Sequence, residues 1–182
     1  MKRIALLIVT LLVSMNFYAQ LWDNSKPDQR FTFGVRAGAN LSTLTEFDTD
    51  SNLGFHGGLV MDYNIVKSFA VETGLYYTSK GFKHDKYGKS YELGYLQIPV
   101  LAKLRLHVSD DVHVQVKGGG YFDYLINEPE TLRVKKPDMG VIFGAGMSYK
   151  KVYLGLQYEL GLYEVYWEGR NRNLAISVGY DF

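Results

Sequence analysis

The chain contains no cysteine among its 182 residues, which excludes a disulfide framework and the lipid-modified cysteine that tethers exported lipoproteins. Any attachment to a membrane must therefore come from the fold. Neither sign of charge dominates: 20 Lys and Arg against 19 Asp and Glu leave a net charge of +1, so nothing in the balance points to nucleic acid or a strongly acidic partner. Long apolar runs are missing too. The one extended run, Ile4 to Val13, has about 10 residues where a helix crossing a bilayer needs roughly 20. Beyond it there is no 3.6-residue apolar period and no capping sequence leading into one.

What is present begins with an export pattern. Lys2 and Arg3 precede the apolar run, and small Ala19 offers a cleavage point before Gln20, so residues 1–19 are expected to be a removed signal peptide. Residues 20–30 read as a short periplasmic segment, either disordered or docked, with Asp23, Asn24, Ser25, Lys26 and Pro27 suggesting flexibility. The remainder, residues 31–182, suits one domain. Tyr (15), Phe (10) and Gly (19) are abundant, a mixture that favours sheet and tight turns.

The recurring signal is period two. Eight runs show it: Phe31 to Leu41, Phe55 to Ile65, Phe69 to Lys80, Tyr91 to Leu106, Val112 to Leu125, Met139 to Tyr149, Val152 to Leu162 and Leu174 to Phe182. Connections alternate long (near 43–53, 80–90, 127–137 and 163–172) and short (66–68, 107–111 and 150–151). Outer-membrane barrels have this arrangement, with long extracellular loops, short periplasmic turns and both termini periplasmic. The expectation is an all-β, eight-stranded antiparallel up-and-down transmembrane β-barrel in the cell outer membrane. Its competitor is a soluble lipocalin-like barrel, which alternates in the same way but turns its apolar face inward. Glycine placement separates the two, because Gly34, Gly38, Gly58, Gly74, Gly119, Gly140, Gly144, Gly146, Gly155, Gly161 and Gly179 all lie on the polar face. A crowded, narrow interior needs small residues beside large ones; a solvated surface does not. Aromatic residues on the opposite face cluster at strand ends, as interfacial girdles require: Phe31, Phe33, Tyr63, Phe69, Tyr149 and Phe182 at one, Tyr77, Phe122, Tyr124 and Tyr158 at the other.

At the carboxyl end Leu174, Ile176, Val178, Tyr180 and Phe182 alternate. With Tyr95-Leu96-Gln97-Ile98-Pro99-Val100-Leu101-Ala102-Lys103 and Gly34-Val35-Arg36-Ala37-Gly38-Ala39-Asn40, this resembles the PorT-like family of small outer-membrane β-barrel domains of Gram-negative bacteria, over residues 31–182. The resemblance implies that Val178, Tyr180 and Phe182 present a signal to the barrel-assembly machinery. It also implies a role as an accessory subunit beside other outer-membrane proteins.

At eight strands a barrel interior is filled by side chains, unlike the water-filled lumen of porins. Alternation turns Arg36, Asp62, Glu72, Gln97, Lys103, Arg105, Lys117, Asp123 and Glu159 inward, a near-balanced set expected to pair across the lumen. Arg36, Asp62 and Glu72 are expected at similar depth as one ionic cluster. Pro99, unable to donate to a ladder, is expected to force a bulge or a local distortion. The second connection is basic, with Lys80, Lys83, His84, Lys86 and Lys89, and suits phosphates of lipopolysaccharide. Tyr166 and Trp167 in the fourth suit protein contact. No nucleophile and base spacing marks catalysis, the four histidines fall on different predicted elements, and Gly118-Gly119-Gly120 precedes no helix that could receive a phosphate. No enzyme activity, cofactor or metal is therefore expected. The leading reading is a structural or interaction module that presents loops; a narrow channel for ions or small solutes is the runner-up.

Overall fold

A computed structural model describes residues 23–44, 49–84, 89–127, 137–162 and 171–182. Eight strands follow one another: β1 (Phe31–Leu44), β2 (Thr49–Val66), β3 (Phe69–His84), β4 (Lys89–His107), β5 (Val112–Asn127), β6 (Pro137–Tyr149), β7 (Val152–Gly161) and β8 (Asn171–Asp181). Each pairs antiparallel with its neighbours, and β8 returns to β1, so the sheet closes into a barrel. Closure leaves no unpaired edge, which is the condition for a sheet to sit in hydrocarbon.

The direction of the alternation decides the environment. On β7, Val152, Leu154, Leu156 and Tyr158 point outward and are exposed, while Tyr153, Gly155 and Glu159 are buried. The same holds around the wall: Phe33, Val35, Leu59, Leu75, Val100, Phe143 and Ile176 all face out. A continuous apolar surface of this kind is far larger than the few hundred Å² tolerated on a protein in water, and it excludes the soluble barrel. The glycines assigned to the polar face all lie on the inward side. At Gly38 the need is steric: a Cβ there would run into the carbonyl oxygen of Ile176 and the ring of His56, its register partner.

One feature differs from the sequence reading, and two that it left open are decided. The strands run further at the end away from the turns, with pairs such as Thr49 with His84 and His84 with Lys89 continuing the ladder. Apolar alternation stops where lipid stops, whereas backbone pairing continues into water, so the first two connections are shorter than expected. Next, Pro99 produces a local distortion of the ladder and not a bulge. Pairing of β3 with β4 keeps one register from Thr73 with Val100 to Tyr76 with Gln97, and only the intervening pairs are missing. The Thr73 hydroxyl donates to the Pro99 carbonyl at 2.8 Å, which satisfies both polar groups beside the proline. Finally, residues 23–30 are docked. Ser68 and Lys67 donate to the carbonyls of Asp23 and Ser25 (3.0 and 3.1 Å), and Asn64 donates to that of Arg30 (2.8 Å). These bonds strap the segment across the β2–β3 turn, because that turn offers amides that no strand partner takes.

Ser25 also donates from its amide to Asp23 (2.8 Å), and its side-chain and backbone hydrogen bonds hold that carboxyl below the usual value. The stabilisation is therefore present above the unfolded-state pKa and lost as pH falls through the lower folded value. Protection of the Lys67 and Ser68 amides, measured against the intrinsic exchange rate at each pH, is expected to fall on acidification before that of the strands.

The β6–β7 turn holds only Lys150 and Lys151 between the paired residues Tyr149 and Val152. Lys150 has φ 53°, the left-handed region, where glycine is the favoured first central residue of a tight hairpin. Lys150→Gly is expected to stabilise the barrel by about 0.5–1 kcal/mol, read as a rise in the midpoint of urea unfolding from micelles.

The lumen as the candidate functional site

Two ionic networks and a small cluster of buried residues occupy the middle of the lumen. In the half nearer the turns, Asp62 and Glu72 are register partners on β2 and β3. Lys103 donates to both oxygens of Asp62 at 2.8 Å and pairs with Glu72. Lys117 donates to Glu72 at 2.8 Å. Arg105 donates to Asp62 at 2.5 Å and to Asn64 at 2.7 Å. Five charges thus share one set of contacts, which is how buried ions avoid the cost of an unpaired charge.

Arg36 is not in that set. Its Nη2 donates to Asp181 at 2.6 Å, and its guanidinium lies 4.3 Å from the centre of the Tyr153 ring. The expected cluster of Arg36, Asp62 and Glu72 therefore divides, because Arg36 sits opposite Gly58 while Asp62 sits opposite Thr32, four residues earlier on β1. Nearer the loops, Lys80 meets Asp123 at 2.7 Å and Glu159 at 2.8 Å. Gln97 and Gln157 donate to Glu159 at 3.4 and 3.0 Å, and the Lys80 ammonium lies 4.6 Å from the centre of the Tyr121 ring. Leu101, Tyr121 and Ile142 form a buried cluster beside the networks: Leu101 is the register partner of Glu72, and Ile142 that of Glu159. His56 sits among Asn40 (2.6 Å) and Ser177 (2.8 Å).

Lys80 was expected in the basic loop and is instead buried inside. Even-numbered positions on β3 face the lumen from Ala70 onward, so continuing the alternation from Glu72 would have found it. Asp181 and Asp138, also inward, lie at strand ends where the apolar pattern fades. The aromatic interior of Tyr76, Tyr95, Tyr121 and Tyr153 was hidden because tyrosine fits either face. Val178, Tyr180 and Phe182 face outward, and the Phe182 amide donates to the Phe33 carbonyl at 2.9 Å. Lys83, His84 and Lys89 lie on strand ends; Lys86, Tyr166 and Trp167 lie outside the described residues, as do residues 1–19.

A closed sheet, apolar outside and ion-paired within, defines a transmembrane β-barrel. The family model described as Outer membrane protein beta-barrel domain matches residues 18–166, and the chain belongs to that family. Among solved structures, neisserial surface protein A is similar at 16% identity and TM-score 0.53, covering 85% of this chain and 98% of that one. OprG from Pseudomonas aeruginosa is similar at 13% identity and TM-score 0.51, covering 88% and 99%. The attachment invasion locus protein Ail of Yersinia pestis is similar at 14% identity and TM-score 0.48, covering 84% and 97%. At such identities the likeness is one of fold. Among curated proteins none matches the sequence at a significant level.

Proposed function

We propose that this outer-membrane barrel is a scaffold and interaction module: it fixes the geometry of four connections outside the cell, beside lipopolysaccharide and neighbouring outer-membrane proteins, and does not conduct solutes. In this reading residues 1–19 are removed on export, and both mature ends lie in the periplasm at the turn end. Val178, Tyr180 and Phe182 are read by the assembly machinery, and the barrel serves as an accessory subunit of a larger assembly. The observation that carries the reading is the interior of paired charges, two networks packed beside the buried cluster of Leu101, Tyr121 and Ile142. A narrow eight-stranded barrel packed in this way has no continuous water column, so its work falls to its surfaces.

Reconstitution in planar bilayers is expected to give no reproducible single-channel openings. Openings abolished by Glu72→Gln would replace the scaffold by the channel. Affinity purification from outer membranes in mild detergent, with mass spectrometry, tests the accessory role: a stoichiometric outer-membrane partner is expected, and recovery of the barrel alone would make it autonomous.

A further inference from the structure

We propose that the cavity at the turn end of the lumen is a binding site for a small oxyanion, a carboxylate or phosphate group. The inference goes beyond the scaffold reading and does not rest on it.

The cavity measures about 330 Å³, at the lower end of the ~300–1,000 Å³ typical of small-molecule sites. Lys103 and Arg105 border it on the lumen side, His107 and His113 form one wall, and Lys150 and Lys151 come from the β6–β7 turn. Asp28 and Gln29 of the docked amino-terminal strap close the opposite side. The acids that line it already have cations: Asp62 takes Lys103 and Arg105, Asp181 takes Arg36, and Asp28 takes Lys67 at 3.6 Å. For carboxylates the cations of the β6–β7 turn are nearly unmatched, their ammoniums lying instead 5.6 and 5.8 Å from the centres of the Tyr149 and Tyr180 rings. Lys150 reaches only exposed Asp111, at 4.0 Å, and Lys151 has no carboxylate within ion-pair distance among the described residues. Surplus positive charge around a polar cavity is a field that an anion fits.

The histidines supply an independent observation. They are register partners across β4 and β5, their ring centres 4.5 Å apart, and each keeps a buried Nδ1 with no hydrogen-bond partner among the described residues. Buried ring nitrogens without partners are rare and call for one. Two imidazoles also suit a metal, but no group of three potential ligands exists among the described residues. The charges that act on His107 are the Asp23 carboxylate against Arg105 and Lys67, two cations to one anion, a balance that opposes a cation and favours an anion. The turn adds a third observation. Lysine holds the left-handed position where glycine is cheaper, and side chains kept at strained backbone positions cluster at functional sites.

The test is a titration of the purified full chain in zwitterionic micelles with inorganic phosphate, against chloride at matched ionic strength, followed by amide chemical shifts. Saturable shifts are expected at His107, His113, Lys150 and Lys151. Lys150→Gly and Lys151→Gln are each expected to weaken binding about tenfold, the loss of one charge-assisted hydrogen bond, while Lys26→Gln leaves it unchanged. Lys150→Gly is decisive because it should raise the unfolding midpoint as it weakens phosphate. A merely structural lysine would give the first effect without the second and overturn the proposal, as would shifts that do not saturate or that spread equally to Lys26. Nanodiscs then separate the sources of the oxyanion. Competition by anionic phospholipid makes it a lipid headgroup, and unchanged phosphate affinity makes it a free anion; both outcomes keep the site.

Discussion

Replacing Glu72 by glutamine is expected to destabilise the barrel by about 3–5 kcal/mol, the loss seen when one member of a buried ion network is removed. Glu72 is 2% exposed and is the carboxylate that Lys103 and Lys117 share. The amide keeps an acceptor but no charge. Three cations, Lys103, Lys117 and Arg105, would then face Asp62 alone. Unfolding by urea from micelles measures the loss, and the double variant Glu72→Met with Lys117→Met is expected to recover much of it, since it strands fewer ions. A loss below about 1 kcal/mol, the value of a solvated surface pair, would mean that water fills this half of the lumen, and the closed-scaffold reading would fall with it.

Leu156→Arg should cost about 2–4 kcal/mol in a lipid bilayer, the penalty for a cation on the lipid face near the midplane. Leu156 lies near the middle of β7, faces out at 53% exposure, and has Ala145 and Ile176 as register partners. On a barrel in water the same exchange at an exposed site would change stability by less than about 0.5 kcal/mol. Comparison with Gln157→Arg, the neighbour that faces the lumen, separates a lipid penalty from a general loss of strand propensity. Equal, small effects at both positions would count against an embedded wall.

Much of this architecture was legible because two independent signals agree: period-two alternation and the rhythm of short and long connections. The inner face was legible because glycine and charge fall on it together, as Gly34, Arg36 and Gly38 do on β1. Partners were not. Which acid meets which base depends on stagger and tilt around the closed wall, and a linear reading treats Arg36 and Asp62 as level when the register sets them four residues apart. Lys80 was misplaced for a related reason: hydrophobicity marks where lipid ends, and the strand continues past that point. The turn-end cavity was invisible, since its walls come from five separate stretches of chain and from a strap whose polar composition suggested no attachment.

The long ladders of β2, β3 and β4, with 18, 16 and 19 residues, carry a consequence for recognition. At ~3.3 Å per residue and a tilt of ~40°, the longest climbs about 45 Å, well beyond an apolar band of ~25 Å. On this side of the barrel hydrogen-bonded sheet therefore extends past the apolar band. A partner that lands on this parapet meets backbone already ordered and sacrifices little conformational entropy on docking. Changes of side chain there should then alter the strength of association without altering the shape that is recognised.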